Sequence, residues 1–515
     1  MIESELLQMI TKRVWTPVHL SSLSAEDRQG IIRSSMFIKE KFDSAGSFEK
    51  LKARLVAGGN QQDKTLYDDL AAPTVSTSSV FALLSIAAAE GRKIATLDIG
   101  GAFLNAAMTT GVQVHMRLDK TMTRMLAGIE ASYEPFIDDR GSLVVRLDKA
   151  LYGCVESAAL WHEHLSRTLE RLGYVRNTYD ECVYNGVRDG VQCTVAVHVD
   201  DLLITCVDQL RIDELVQGMR TTYGEVKTAA GPAVGYLGMT LDVSVAGEAK
   251  ITMGGYVDDM LKARAAVQAA RTPAQDDLFA VSADDAASSE DRRQEFHREV
   301  ARVLYLAKRS RPDCLTAVSF LATRVQKCTT ADLRKLDRLM GYIAATKDRG
   351  VVLRPGPNYQ DVSVFIDAAY GVHSDGKSHT GACVVLGDTG AVHCKSSKQG
   401  IVTKSSTEAE LVALSDSCNQ GIHVRRFLQS QGHTPGPLRI FQDNLSCMAL
   451  VKRGRSAAEK TRHIDIRYFW VKERVSSGDA TIEHLPTDQM YANVLTKPLQ
   501  GAQFLREREL LTGWV

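Results

Sequence analysis

Short runs of β-branched and apolar residues recur along this chain, and two of them flank an adjacent pair of carboxylates. The runs extend from Cys193 to Val199 and from Leu202 to Val207, on either side of Asp200 and Asp201. This pattern predicts a strand, a two-residue turn at the carboxylates and a returning strand. A polar hairpin tip is the ordinary interpretation, because Asp is common in turns.

A third carboxylate, Asp98, ends another short apolar run. The run is Lys93-Ile-Ala-Thr-Leu, and glycines follow Asp98 closely, which lets another backbone or a ligand approach. Three carboxylates at strand ends form an all-oxygen site suited to two magnesium ions that hold a triphosphate. The pattern therefore favours a metal site over a simple polar turn.

Helical patterns fill much of the chain between these strands. Ser78 to Glu90 predicts a helix that is closed by Gly91. An apolar stripe between residues 160 and 172, which includes Trp161, predicts a helix face in the core rather than a site. Residues 274–291 are rich in Ala, Asp and Ser and predict a mobile linker.

The last third of the chain places acids at strand ends around a helix. One strand-like run ends at Asp367, and a later run ends just before Asp443. Between them the segment S-S-T-E-A-E-L opens a helix that carries Glu408 and Glu410. These two side chains lie about 200° apart on a helix, so only one can face the other acids. Strands, helix, strand and helix in this order is the plan of a ribonuclease H (RNase H) fold.

Composition sets broad limits on the class of protein. At 515 residues the chain requires several domains, and 44% hydrophobic with 24% charged residues argues against disorder. Lys+Arg and Asp+Glu both count 62, so only local basic clusters can meet a polyanion. Ten cysteines without a C-x-x-C pair indicate free thiols in a reducing compartment. We find no signal peptide and no apolar stretch of the roughly 18–20 residues that cross a bilayer. We therefore expect an intracellular protein, cytoplasmic or nuclear, that is neither secreted nor bound to a membrane.

Several motifs together resemble the reverse transcriptases of copia-type LTR retrotransposons. The polymerase motifs are L-D-I-G-G-A-F-L-N-A around Asp98, L-D-K-A-L-Y-G-C around Tyr152 and H-V-D-D-L-L-I around Asp200. The segments F-I-D, S-S-T-E-A-E-L, Q-D-N and A-N-V-L-T-K-P-L resemble the RNase H part of the same polyprotein. The resemblance runs from about Trp15 to the C-terminus, in the order of the family, and the abrupt start suggests a fragment of a longer polyprotein.

The resemblance implies a mixed α+β and α/β multidomain fold. A right-hand polymerase with fingers, palm and thumb would be followed by a helical connection and an RNase H-like domain. We predict fingers and palm in residues 1–240, thumb and linker in 241–295, the connection in 296–355 and the RNase H-like domain in 356–515.

The resemblance also implies RNA-directed DNA polymerase activity by two-metal nucleotidyl transfer. The expected cofactor is magnesium, two ions per active site, with manganese as an alternative. The expected partners are an RNA template, a DNA primer, an RNA–DNA hybrid and deoxynucleoside triphosphates, and the oligomeric state is left open. A location in a cytoplasmic particle is implied only by the same resemblance. A second interpretation is a decayed or repurposed element that binds nucleic acid without catalysis.

Family motifs assign roles to individual residues. The implied catalytic and metal-binding residues are Asp98, Asp200 and Asp201 in the polymerase and Asp367, Glu410 and Asp443 in the nuclease. The implied nucleotide-binding residues are Lys52, Arg54, Phe103, Tyr152 and Gly153, and the implied primer grip is Leu237, Gly238 and Met239. Phe103 would act as a steric gate against a ribose 2′-hydroxyl, although a core position is the alternative. Lys52 and Arg54 share one strand face that would contact the triphosphate or, alternatively, only solvent.

Departures from the family pattern qualify these expectations. Asn493 stands where the family has an Asp that completes the nuclease acids, and its neutral oxygen would bind magnesium weakly. Asp488 is a nearby acid that would be placed to compensate. His198 replaces a Tyr before the Asp pair, and Val155-Glu-Ser-Ala replaces Lys-Gln-Ala-Pro. A basic cluster that would hold the backbone of a hybrid, or would be a solvated loop, comprises Arg453, Arg455, Lys460, Arg462 and His463.

Overall fold

The computed structural model describes residues 1–42, 48–68, 70–262, 264, 267–282, 284–453 and 470–514. Strands in these ranges form four sheets. In chain order they are β1 (Trp15–Val18), β2 (Ile32–Phe42), β3 (Phe48–Ala57), β4 (Lys93–Asp98), β5 (His115–Leu118), β6 (Leu143–Leu147), β7 (Val175–Arg176), β8 (Val183–Arg188), β9 (Val191–His198), β10 (Asp201–Cys206), β11 (Lys227–Gly231), β12 (Ala233–Tyr236), β13 (Met239–Asp242), β14 (Ala249–Thr252), β15 (Val351–Leu353), β16 (Val362–Ala369), β17 (His379–Leu386), β18 (Ala391–Lys398), β19 (Leu438–Gln442) and β20 (Ala480–His484).

Helices pack on these sheets and connect them. The α-helices with both ends described are α1 (Ile2–Thr11), α2 (Ala25–Gln29), α3 (Thr77–Glu90), α4 (Lys120–Ile129), α5 (Ser157–Arg171), α6 (Gln209–Tyr223), α7 (Gly254–Lys262), α8 (Glu290–Ala307), α9 (Leu315–Ala322), α10 (Thr330–Ala345), α11 (Ser406–Ser430), α12 (Leu445–Arg453) and α13 (Gly501–Thr512). Among the described residues we find no helix with the length and apolar character that a bilayer crossing requires. Sheets and helices together confirm the predicted mixed α/β multidomain fold.

The six-stranded sheet carries the first group of carboxylates. Its strand order is β11-β4-β10-β9-β8-β7. Helices α5 and α6 cover one face with a core that includes Trp161 and Leu165. Helix α3 covers the other face, capped by Ser76 at its start and closed by Gly91 with φ +65°. A left-handed residue at this position is a common helix stop and favours glycine.

The C-terminal sheet has the strand order β18-β17-β16-β19-β20. Strands β16, β17 and β18 pair antiparallel, whereas β19 pairs parallel with both β16 and β20. The carboxyl ends of the parallel neighbours β16 and β19 therefore meet at one edge of the sheet. Helix α11 packs across β16 and β17, which brings its first turn to that edge.

The C-terminal sheet domain packs directly on the six-stranded sheet domain. Helix α3 is buried on nearly all sides because it lies between the two, in contact with β18 and α11. Polar contacts continue this interface, including Asn177 Nδ2 to Ser430 Oγ at 2.7 Å and Tyr359 Oη to Glu90 Oε1 at 3.1 Å. Strand β14 also pairs with β15, so residues near 250 and 352 share a sheet.

The segment predicted as a mobile linker has an ordered beginning. Ala274 and Leu278 are buried, and Gln500 donates from Nε2 to the carbonyl oxygen of Ala274 at 2.8 Å. Thr272 donates a hydrogen bond to Gln500 Oε1 at 2.9 Å. The beginning of the predicted linker is thus packed and hydrogen-bonded in the structure, because Ala274 and Thr272 find a partner more than 220 residues away.

Candidate active sites

The first group of carboxylates meets at the end of the β9–β10 hairpin. Asp201 is the first residue of β10 and lies directly opposite Asp98 of β4 in the antiparallel register. Asp200 lies in the turn, where its carbonyl oxygen accepts a hydrogen bond from Ile99 N at 3.0 Å. All three acids line one cavity of about 410 Å³, together with Lys227. The structure thus brings Asp98, Asp200 and Asp201 together as predicted from the motifs.

The turn itself is displaced by one residue from the predicted position. Val199 and Asp200 form it, because Asp201 already pairs with His198. Val199 has φ +60°, which is strained for a β-branched residue. Trp161 of α5 donates from Nε1 to the carbonyl oxygen of Val199 at 2.7 Å. Trp161 is 1% exposed, so it is a core residue as predicted, but it also holds the turn.

Burial and the charges of neighbouring acids raise the pKa of two of these three carboxyl groups. Burial, and then the nearby Asp98 and Asp200 charges, raise the pKa of Asp201 to about 7, although a backbone hydrogen bond from Leu237 opposes the shift. Burial also raises the pKa of Asp200. Among the described residues, the carboxylate oxygens of these three acids do not lie close enough together to form a metal cluster. A group of three carboxylates in which Asp200 and Asp201 are disfavoured as charged groups fits divalent cations.

The predicted nucleotide-binding side chains form a continuous row beside these acids. Lys52 and Arg54 are exposed on one face of β3. The Arg54 guanidinium lies 4.9 Å from the centre of the Tyr152 ring. Phe103 packs edge-on against Tyr152, with ring centroids 4.8 Å apart. Burial and Arg54 lower the pKa of Lys52, while Asp98 raises it, so this row lies within electrostatic reach of the carboxylates.

Gly153 has a structural reason to be glycine. It adopts φ +93°, and a Cβ atom there would overlap the carbonyl oxygen of Ala57. Ala57 N donates to the carbonyl oxygen of Tyr152 at 2.7 Å. The turn after Tyr152 is therefore in backbone contact with the end of β3, which fixes the relation between Tyr152 and Arg54.

Glu156, one of the departures from the family pattern, is a buried acid at 1% exposure. It accepts hydrogen bonds from Gln62 Nε2 at 2.9 Å and Tyr67 Oη at 3.1 Å. Gln62 Oε1 accepts from Val155 N at 2.8 Å. Burial and then Glu156 raise the pKa of Tyr67. Tyr67 belongs to the loop after β3, so this cluster ties that loop to the start of α5, and sequence reasoning missed it.

The predicted primer grip is the tight turn between β12 and β13. Leu237 and Gly238 have φ of +51° and +77°, and the backbone of Leu237 bonds to the Asp201 carboxyl. Met239, the third predicted residue, is buried at 2% exposure. Tyr305 at the end of α8 donates to the carbonyl oxygen of Leu237 at 3.3 Å.

The helical segment after the linker reaches this site, although sequence reasoning assigned no chemistry to it. The Arg309 guanidinium lies 3.6 Å from the centre of the Tyr305 ring. Burial, followed by the charge of Arg309, lowers the pKa of His198, the residue two places before Asp200. His198 Nδ1 is buried without a hydrogen-bond partner among the described residues. Neither Tyr305 nor Arg309 carried a pattern in sequence that pointed to the hairpin.

A second group of acids lies at the edge where β16 and β19 end. Asp367, Glu410 and Asp443 each offer a carboxylate oxygen, and these atoms lie within 4.8 Å of one another. Glu410 accepts from Ala368 N and from Gln442 Nε2, both at 3.2 Å. Burial, and then Asp367 and Asp443, raise the pKa of Glu410 well above its usual range. An all-oxygen trio of this spacing fits a divalent cation.

Glu408 plays a different part from Glu410. Its Oε2 accepts from Lys404 N at 2.8 Å, and Ser405 Oγ accepts from Glu408 N at 3.2 Å. These contacts cap the first turn of α11. The two acids therefore point apart, as their spacing on a helix requires.

Asn493 does not extend the second group. It is fully buried, and its Nδ2 donates to the carbonyl oxygen of Thr487 at 2.5 Å. Its Oδ1 accepts from Lys497 Nζ at 2.5 Å, and Lys497 Nζ lies 3.2 Å from Asp367. Asp488 is exposed and lies outside the metal cluster found among the described residues. The structure gives no support for compensation by Asp488.

The predicted basic cluster cannot be placed. Arg455, Lys460, Arg462 and His463 lie outside the described residues, and Arg453 is described only as the backbone end of α12.

The fold thus has three carboxylates at one hairpin of the six-stranded sheet and a separate acidic trio at the edge of the C-terminal sheet. The sequence model of the family described as reverse transcriptase (RNA-dependent DNA polymerase) matches residues 13–273. The chain belongs to this family.

Similar proteins include Pol polyproteins of plant and yeast transposons. The retrovirus-related Pol polyprotein from transposon RE1 of Arabidopsis thaliana is 27% identical over 92% of this chain and 31% of its own length. That from transposon TNT 1-94 of Nicotiana tabacum is 24% identical over 93% of this chain and 35% of its own length. The truncated transposon Ty1-A Gag-Pol polyprotein of Saccharomyces cerevisiae is 22% identical over 99% of this chain and 42% of its own length. The predicted resemblance to copia-type retrotransposon Pol polyproteins is confirmed, and the chain spans about a third of the RE1 and TNT 1-94 relatives.

A solved structure of the foamy viral protease-reverse transcriptase in complex with an RNA/DNA hybrid is similar to this chain. The alignment covers 89% of this chain and 52% of the viral protein chain. The TM-score is 0.49, and the sequence identity is 12%.

Proposed function

We propose that this chain is the RNA-directed DNA polymerase of a copia-type retrotransposon and adds deoxynucleotides to a primer by two-metal nucleotidyl transfer. The observation that carries the proposal is the cross-strand pairing of Asp98 with Asp201, with Asp200 beside them on the same cavity. Asp98, Asp200 and Asp201 would hold two magnesium ions. When bound, these ions would lower the pKa of the primer 3′-hydroxyl and neutralise charge on the triphosphate and pyrophosphate.

Side chains around the acids would position the nucleotide. The cations Lys52 and Arg54 on the exposed face of β3 supply positive charge for the triphosphate. Stacking of Arg54 on Tyr152 restricts the guanidinium to one direction. Positioning of this kind supplies much of the catalysis in phosphoryl and nucleotidyl transfer.

Discrimination against ribonucleotides would rest on Phe103. Its ring is partly buried and is fixed edge-on against Tyr152, so it cannot yield easily to an additional hydroxyl. The predicted steric gate is therefore part of the proposal.

The hairpin of Leu237 and Gly238 would hold the primer end. Its backbone bonds to the Asp201 carboxyl, and Tyr305 holds its carbonyl oxygen. The primer support and the catalytic acid would thus be neighbouring parts of one site. Base pairing would select the sequence, so the protein needs only contacts to backbone and shape.

The C-terminal domain would act on the RNA strand of an RNA–DNA hybrid. Asp367, Glu410 and Asp443 would hold a divalent cation and orient a water molecule for hydrolysis. The neutral Asn493 sets this site apart from a four-carboxylate nuclease.

A non-catalytic element that only binds nucleic acid is the second candidate. Asn493 in the nuclease and His198, whose buried Nδ1 has no hydrogen-bond partner among the described residues, favour it. Primer extension on poly(rA) with an oligo(dT) primer, dTTP and magnesium separates the two candidates. Extension by the native chain that vanishes in Asp200→Asn/Asp201→Asn supports the polymerase, whereas hybrid binding without extension supports the second candidate.

A further inference from the structure

The nuclease site differs from a four-acid site at one residue, Asn493, whose amide orientation is fixed by its neighbours. Asn493 is fully buried, and its amide nitrogen donates to the Thr487 carbonyl oxygen at 2.5 Å and lies 3.5 Å from Glu507 Oε1. Both of these neighbours are acceptors, so they fix which end of the amide is nitrogen. The oxygen end must therefore face the opposite way, toward Lys497.

Lys497 fills the space between Asn493 and the acidic trio with a positive charge. Its Nζ lies 2.5 Å from Asn493 Oδ1 and 3.2 Å from the Asp367 carboxylate. Thr496 also donates its hydroxyl hydrogen to Asp367. Lys497 Nζ lies near both oxygens of Asp367, and Thr496 donates to Oδ2, so donors surround a carboxylate that also belongs to the metal cluster.

We propose that this nuclease site takes one divalent cation and that the Lys497 ammonium supplies the second positive charge beside Asp367. A second dication on the Asn493 side would have a neutral oxygen in place of a carboxylate. It would also lie next to an ammonium group, and like charges at this distance repel each other. The ligand class is an oxygen-preferring dication such as magnesium or manganese, held by Asp367, Glu410 and Asp443.

This inference takes the nuclease site from the proposed function but can fail separately from it. The test counts bound ions and does not use polymerase or nuclease activity. A wrong ion count leaves primer extension untouched, and an inactive polymerase leaves the ion count untouched.

The experiment is a titration of the full chain with Mn²⁺, followed by electron paramagnetic resonance. The variant Asp98→Asn/Asp200→Asn/Asp201→Asn serves as background, because it removes the polymerase carboxylates while leaving the nuclease site intact. We expect one tightly bound Mn²⁺ with the spectrum of an isolated ion, which Glu410→Gln abolishes. Two ions with a spin-coupled spectrum, or no bound ion, would overturn the proposal.

Variants of Lys497 in the same background test its role. Asn493→Asp/Lys497→Met should bind two Mn²⁺ with a coupled spectrum, and Asn493→Asp/Lys497→Arg should still bind one, because the charge is retained. Lys497→Met alone should keep one ion and bind it on the order of tenfold more tightly. The Lys497 side chain is 36% exposed, so this variant should fold, which circular dichroism verifies. Unchanged affinity in Lys497→Met, or one ion in Asn493→Asp/Lys497→Met, would show that the ammonium does not set the count.

Discussion

The indole nitrogen of Trp161 donates a 2.7 Å hydrogen bond to the carbonyl oxygen of Val199, the first residue of the turn that carries Asp200. A helix in the core thereby stabilises a strained backbone at the hairpin that carries the carboxylates, since Val199 has φ +60°. The position of Asp200 depends on a residue that has no part in the chemistry.

Trp161→Phe should reduce activity more than it reduces stability. Loss of one hydrogen bond costs about 0.5–1.5 kcal/mol of unfolding free energy, and the cavity left by the smaller ring adds to this cost. A displaced Asp200 should lower kcat on the order of 10- to 100-fold. Urea unfolding and steady-state primer extension measure the two effects. Trp15→Phe, at a buried tryptophan in β1, is the control. Equal kcat in the two variants would contradict this role.

Glu156→Ala should destabilise the junction between the loop after β3 and α5. Gln62 and Tyr67 would each lose a buried partner, at a cost of about 1–3 kcal/mol in unfolding free energy. Glu156→Gln retains one acceptor and should cost less. Chemical denaturation of both variants tests this order. A change in unfolding free energy below about 0.5 kcal/mol in Glu156→Ala would show that the cluster does not stabilise the fold.

Phe103→Ala should relax sugar selection without abolishing synthesis. The ring that packs on Tyr152 would be gone, so the additional 2′-hydroxyl would find space. We expect the ratio of kcat/KM for UTP over dTTP on poly(rA) to rise on the order of 100-fold. Phe103→Tyr keeps the ring and should leave the ratio low. An unchanged ratio in Phe103→Ala would show that Phe103 is a core residue and does not select the sugar.

Metal-free protein should lose stability as the pH rises from about 4 to about 7. The pKa of Asp201 is raised to about 7 in the folded chain, against about 3.9 when unfolded. The folded state therefore binds the proton more tightly, and this contribution is present at low pH and is lost as pH increases through 7. Melting temperatures in EDTA should fall over this range, and the fall should be smaller in Asp201→Asn. Magnesium should reverse the trend, because it binds the charged form. A melting temperature in EDTA that rises equally in both proteins would contradict the assignment.

Sequence patterns located the acids well because their signals are local. An apolar run that ends in a carboxylate identifies Asp98, Asp367 and Asp443. Helix geometry allows only one of Glu408 and Glu410 to face the other acids, and the family motif selects Glu410. The one-residue shift of the turn to Val199 and Asp200 had no such signal, because valine is an unexpected residue at positive φ.

Residues that support the sites escaped prediction because their partners are distant in sequence. Trp161 and Val199 are 38 residues apart, Gln62 and Glu156 are 94 apart, and Lys497 and Asp367 are 130 apart. A pattern within one element does not encode such contacts; only the packed fold brings these groups together. The same reason explains the ordered start of the predicted linker.

The measurement that tests the central claim most directly is single-turnover addition of one dTMP to an oligo(dT) primer on poly(rA). Native chain, Asp98→Asn and the control Asp213→Asn, at an exposed acid of α6, would be compared at saturating magnesium. The account predicts addition by the native chain and by Asp213→Asn, with a loss on the order of 1,000-fold or more in Asp98→Asn. Equal rates in all three would contradict catalysis by Asp98 together with Asp200 and Asp201.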